Sequence, residues 1–227
     1  TLLLYVIPIV MVFGSIHHRN YTEYNSLSLV SQGGSHALYW VVPATYQYSG
    51  QGSYQDGQAF AKNYIERAMN RDNLESPLDN PFKSSNYLMS LAKDALSELG
   101  LLNMLHAWSA GTVINFLTPS AAYAPAVRAM EHSSFYATPG NGAVEKLIHY
   151  VINTNGFIYL LIIAIGTIIS LIFLTMSMFG IYKMIKFPQS GGWNKGIIVF
   201  LLFIIIYFAA ITGPIVGVKY RLPIEPV

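Results

Sequence analysis

Apolar residues fall into three runs separated by polar chain. The first, TLLLYVIPIVMVFG at 1–14, is too short to cross a bilayer alone. A helix needs about 20 apolar residues to cover roughly 30 Å of hydrocarbon. It therefore reads as the end of a span. The second occupies 156–182 and contains the charge-free run FIYLLIIAIGTIISLIFLTMSMFGIY. The third is 196–216, GIIVFLLFIIIYFAAITGPIV. Residues 15–155 form a long polar region, 183–195 a short loop, and 217–227 a closing segment. The pattern predicts an all-α polytopic membrane protein. It has three transmembrane helices, the first truncated, and a large, mainly helical extracytoplasmic region.

Inside 15–155 the periodicity changes. Two β-leaning runs flank Gln32-Gly33-Gly34-Ser35 and predict a small hairpin. Residues 48–57, rich in Gly, Ser, Gln and Tyr, read as a loop. In 58–71, Phe60, Tyr64, Ile65 and Met69 share one side of a helix. Ser84 or Ser85 caps a second helix that stops at Gly100, with a stripe of Tyr87, Leu88, Leu91, Ala95 and Leu96. Residues 101–117 are more apolar but carry Asn103, Ser109, Gly111 and Asn115. That composition favours a helix in the membrane interface over a span. Residues 118–142 read as an irregular loop with a short helical piece at Ala124–His132.

Composition agrees with a membrane protein. Of 227 residues, 53% are hydrophobic and 11% charged, against about 25% charged in soluble domains. The net charge of +2 gives no electrostatic case for nucleic acid. The absence of cysteine excludes disulfides and thiolate metal sites. Lys183, Lys186 and Lys195 lie in or beside the short loop without an acid, which places 183–195 in the cytoplasm and 15–155 outside. Arg19 and Arg221 then emerge on the same outer face. The chain starts at Thr1 inside an apolar run, so it is expected to be the C-terminal part of a longer protein.

The candidate chemistry is cationic. Arg19-Asn20 leaves the first run, and Lys219 and Arg221 leave the third. Arg bonds phosphate oxygens in a bidentate way and Lys supplies a point charge. Their spacing alone fits either a lipid-phosphate site or ordinary anchors that snorkel to headgroups. The six histidines lack HxxxH or HExxH spacing, so no local metal site is expected. Among them His36, in Gly33-Gly34-Ser35-His36, is the one to test. Most carboxylates alternate with Lys or Arg and read as a solvated face. Glu225 lies just beyond the cations and suits pairing with one of them.

The closing sequence ITGPIVGVKYRLPIEPV resembles the last outer loop of the protein O-mannosyltransferase and aminoarabinose-transferase superfamily, glycosyltransferase family 39 of the GT-C class. Its R-Y-R-x-P motif corresponds to Lys219-Tyr220-Arg221-Leu222-Pro223, with Lys for the first Arg. The family's Arg-Asn pair and following Gly-Gly are similar to Arg19-Asn20-Tyr21 and Ser31-Gln32-Gly33-Gly34. Residues 44–145 have no such counterpart. The resemblance implies an inverting glycosyltransferase of the bacterial inner membrane. It would move a sugar from a polyprenyl-phosphate donor to a lipid, glycan or protein acceptor on the outer face. Arg221, Lys219, Arg19 and Tyr220 would contact the donor phosphate, supported by Asn20, His36 and Glu225. The catalytic carboxylate, and any divalent metal it holds, would belong to an N-terminal outer loop with no counterpart here. No cofactor is expected in this chain. The rival is a non-enzymatic membrane subunit whose outer domain binds a partner protein.

Overall fold

A computed structural model describes residues 2–72, 78–135, 137–186 and 195–216, and among these every regular element is helical. The chain forms two compact units. One comprises the stretches up to Pro43 and from Gln58 to Leu99. The other comprises Ala44–Gly57 and the stretch from Gly100 on.

The first unit opens with α1, Leu2–Tyr24. This helix continues well beyond residue 14, where the apolar run ends. Asn25 then takes a left-handed conformation, φ 51°, which Asn tolerates better than most residues. Next comes α2, Gly33–His36, followed without a break by a π turn at Ala37–Val41 and by α3, Val42–Tyr48, which passes into the second unit after Pro43. The hairpin expected around Gln32–Ser35 is therefore overturned. Burial follows helical spacing, with Gly34, Leu38 and Val42 all buried. Gly33-Gly34 is a contact rather than a turn. A Cβ at Gly34 would lie 1.8 Å from the Ser85 carbonyl oxygen. The Gly34 N–H also donates to Ser85 Oγ at 3.0 Å. Pro43 explains the π turn, because the wider turn gives its ring room against the carbonyl four residues back.

Two longer helices complete this unit, α4, Tyr54–Asp72, and α5, Pro81–Leu99. The expected α5 stripe is correct: Leu91 and Ala95 are buried, with Tyr87, Leu88 and Leu96 packed around them. On α4 the buried residues are Ala61 and Ala68, flanked by Phe60, Tyr64 and Ile65. The cap of α5 is Asn80, not Ser84 or Ser85. Its Oδ1 accepts from the N–H groups of Phe82 and Lys83 at 3.0 and 3.1 Å, and Pro81 fills the first helical position without a missing bond. Asn80 Nδ2 also donates to the Tyr24 carbonyl. Asn80→Ala should cost about 1–2 kcal/mol, read as a lower unfolding midpoint in denaturant with an unchanged slope.

The second unit centres on α6, Leu101–Leu117, against which α9, Phe157–Lys186, and α10, Lys195–Thr212, pack. A 3₁₀ turn, Ser120–Tyr123, and the single turn α7, Pro125–Arg128, follow α6. The helical piece expected at Ala124–His132 shrinks to that turn. An unforeseen helix, α8, covers Ala143–Asn153. Helix α9 has 30 residues, about 45 Å at 1.5 Å each. Almost none of its apolar surface is buried, and it is long and apolar enough to cross a membrane. The apolar part of α10, Ile198–Thr212, is shorter. Helix α10 stops at Thr212, so the last residues of the third run are not helical.

Candidate functional site

The structure supplies a reason for the stop at Thr212. Gly213 adopts φ +55°, a region that favours glycine. The chain turns there onto one face of α6. A Cβ at Gly213 would lie 2.6 Å from the Trp108 ring. One turn along, a Cβ at Gly111 would lie 2.7 Å from the Gly213 carbonyl oxygen and from Pro214 Cα. One further turn along, Asn115 Nδ2 donates to the Ile215 carbonyl at 2.9 Å. Trp108 Nε1 donates to the Ala210 carbonyl at 3.0 Å. Ile215 and Val216 are buried, and Val216 packs with Ala44, Tyr48 and Ala107. Trp108, Gly111 and Asn115 thus form a seat for the four residues that lead into the cationic motif. Gly111 and Asn115 looked like polar breaks in an interfacial helix. Their role is close backbone approach and backbone hydrogen bonding. Lys219, Tyr220, Arg221 and Glu225 themselves lie outside the described residues.

Arg19 and Asn20 are brought together in the first unit. Asn20 is fully buried, and its Nδ2 donates to the carbonyls of Ser28 and Leu29 at 2.8 and 3.2 Å. Its Oδ1 accepts from Arg19 Nε and Nη2 at 3.2 and 2.9 Å. Asn20 therefore folds the chain back beneath the end of α1 and orients an exposed guanidinium. A guanidinium has five N–H donors, so this bidentate grip leaves others for an anion. His36 is exposed at the end of α2. It joins no cluster of three or more potential metal ligands among the described residues.

One polar centre was not foreseen. Lys146, on α8, is fully buried. Its Nζ donates to Gln47 Oε1 at 2.8 Å and lies 4.9 Å from the Phe135 ring centre and 5.9 Å from that of Tyr48. Gln47 Nε2 donates to the Gly140 carbonyl at 3.4 Å. The loop and helix close tightly, since a Cβ at Gly140 would lie 2.6 Å from the backbone nitrogen of Lys146. Burial disfavours the charged amine and brings its pKa down from 10.5 to about 8. Burial, and then a hydrogen bond with Tyr159, raise the pKa of the neighbouring Tyr150 hydroxyl. The only sequence signal was a lysine among aliphatics in AVEKLIHYVIN, after an aromatic, glycine-rich loop.

The lysine has a signed consequence. Below pH 8 the amine is protonated in both folded and unfolded chains, and the cost of burying it is fully present. Between pH 8 and 10.5 the folded chain has lost that proton while the unfolded chain keeps it. Stability should rise across that window by about 1 kcal/mol per pH unit. Unfolding midpoints measured against pH should show this rise, and Lys146→Met should flatten it. Parallel profiles for the two proteins would contradict the assignment.

No protein-family model, curated protein or solved structure matches the chain.

Proposed function

We propose that this chain is part of an integral-membrane glycosyltransferase that uses a polyprenyl-phosphate sugar, and that it supplies the phosphate-binding side of the site. By the resemblance, Arg221, with Lys219 and Tyr220, contacts the donor phosphate. As the sugar leaves, charge grows on that phosphate, and fixed cations in a poorly hydrated site stabilise it. The general-base or metal-binding carboxylate that the resemblance implies has no counterpart in these 227 residues.

The observation that supports this most is the seat for Gly213–Val216. A mere membrane exit needs no Trp, Gly and Asn on successive turns of a neighbouring helix to hold its backbone. A phosphate clamp does, because a group misplaced by about 1 Å loses most of its catalytic effect. In this proposal α1, α9 and α10 all cross the bilayer, with the 183–195 loop in the cytoplasm of a bacterial inner membrane. The test is transfer from a synthetic polyprenyl-phosphate sugar by the full-length protein, wild type against Arg221→Ala.

A further inference from the structure

Helix α8 is inside out for a helix in water. At 100° per residue, Val144, Leu147, Ile148, Val151 and Ile152 share one face. Lys146 and Tyr150 lie on the opposite face. A surface helix of a soluble domain buries the aliphatic side and shows the lysine. Here Lys146 and Tyr150 are buried, while Val144 and Ile152 are 73% and 72% exposed and Leu147, Ile148 and Val151 are all more than half exposed. Glu145 and His149 lie together at one border of the apolar face. The Glu145 carboxylate accepts from the Asn141 N–H at 3.0 Å, and the His149 ring nitrogen lies 3.2 Å from the Pro139 carbonyl.

What covers this face follows from its position in the chain. Three residues separate Asn153, the end of α8, from Phe157, the start of α9. They reach at most about 14 Å. The connection is also pinned. The His132 ring stacks on Tyr159 of α9 with centroids 4.0 Å apart, and Phe135 meets Tyr150 of α8 edge-on at 5.2 Å. A Cβ at Gly156 would lie 2.2 Å from the Glu131 carbonyl oxygen. One short stretch, Glu131–Phe135, therefore holds the buried side of α8 and the first turn of α9. Phe157 and Ile158, at the start of α9, are exposed and continue the apolar surface towards the hydrocarbon.

We propose that α8 lies on the bilayer surface at the mouth of α9, its aliphatic face sunk in the headgroup–acyl boundary. Such helices bury one face by about 5–10 Å. The partner is lipid, recognised by apolar area rather than by charge, since the only lysine or arginine of α8 itself, Lys146, is on the buried side. The buried Lys146–Gln47 bond then serves the opposite side, fixing the helix to its own unit so that the apolar face is presented outward. This rests on α9 crossing the membrane.

These 227 residues contain no cysteine, so once any cysteine elsewhere in the full-length protein is replaced by serine, each label sits at a single site. Single variants Val151→Cys, Leu161→Cys and Lys62→Cys of the full-length protein are spin-labelled. They are reconstituted in vesicles of equal parts phosphatidylethanolamine and phosphatidylglycerol. Collision rates with oxygen and with a water-soluble nickel complex are then compared. Leu161 reports the span, and Lys62, whose side chain is 75% exposed, reports water. The expected result is oxygen above nickel at both Val151 and Leu161, with the order reversed at Lys62. Nickel above oxygen at Val151, with Leu161 lipid-like, overturns the proposal while leaving the span intact. A label at Val151 closed to both reagents overturns it in favour of a protein partner. Nickel above oxygen at both Val151 and Leu161 overturns the span and the proposal together. Ile148→Cys repeats the measurement one turn away and should agree with Val151.

Discussion

Arg221→Ala is expected to lower the turnover of sugar transfer by about 10²- to 10³-fold, the size of effect seen when one preorganised group facing a developing oxyanion is lost. The loss should fall on kcat more than on KM, because charge on the donor phosphate is greatest as the sugar departs. Arg221→Lys keeps the charge but not the fork of N–H donors, so it should recover only part of the loss. Lys219→Ala should cost less than Arg221→Ala, because a flexible ammonium is a weaker positioning group. Steady-state kinetics with a synthetic lipid-linked donor give all three comparisons. If Arg221→Ala keeps activity within a few-fold of wild type, the phosphate role is wrong. A wild-type protein that transfers no sugar at all would instead favour the membrane-subunit alternative.

The second large effect is structural. Gly111→Leu should destabilise the unit by 3 kcal/mol or more, roughly the upper end for overpacking. Even the first added carbon meets backbone atoms of Gly213 and Pro214 at 2.7 Å, and backbone cannot swing aside as a side-chain end can. Relief requires Gly213–Val216 to lift from α6, which also breaks the Asn115–Ile215 bond and exposes Ile215 and Val216. Gly14→Ala on α1 is the matched control, since nothing lies within 4 Å of its added Cβ and alanine favours a helix over glycine by about 1 kcal/mol. Thermal unfolding in detergent should separate the two variants clearly. Similar midpoints would mean that the contact between α6 and Gly213–Pro214 is looser than described.

The elements with strong periodicity were legible from sequence. The α5 stripe follows directly from i, i+3, i+4 spacing, and the extent of α6 from an apolar run between Gly100 and the proline-containing loop after residue 117. The 30-residue α9 follows from an unbroken apolar run. What misled was residue chemistry with two meanings. Gly33-Gly34 between β-leaning runs reads as a turn until a partner backbone is placed 1.8 Å from a missing Cβ. Ser84 or Ser85 reads as the cap of α5, although Asn80-Pro81 starts it one turn earlier. Helix α8 was missed because its aliphatic face points away from the protein and its lysine points in, the reverse of the pattern that marks a surface helix. At the candidate site, Arg19-Asn20 stood out as a pair. Its partnership with the Ser28 and Leu29 carbonyls depends on the reversal at Asn25, which no local periodicity encodes. Trp108, Gly111 and Asn115 were visible as composition, but their target is about 100 residues away in the chain.

Trp108 has a use beyond holding the backbone. Its indole is hydrogen-bonded to Ala210 and sits against Gly213, six residues before Lys219. An indole in that position is a built-in optical gauge. With every other tryptophan of the protein, Trp40 and Trp193 among them, replaced by Phe, its emission wavelength and quenching would track any shift of the closing segment. Donor engagement at the cationic motif could then be followed in real time without attaching a dye.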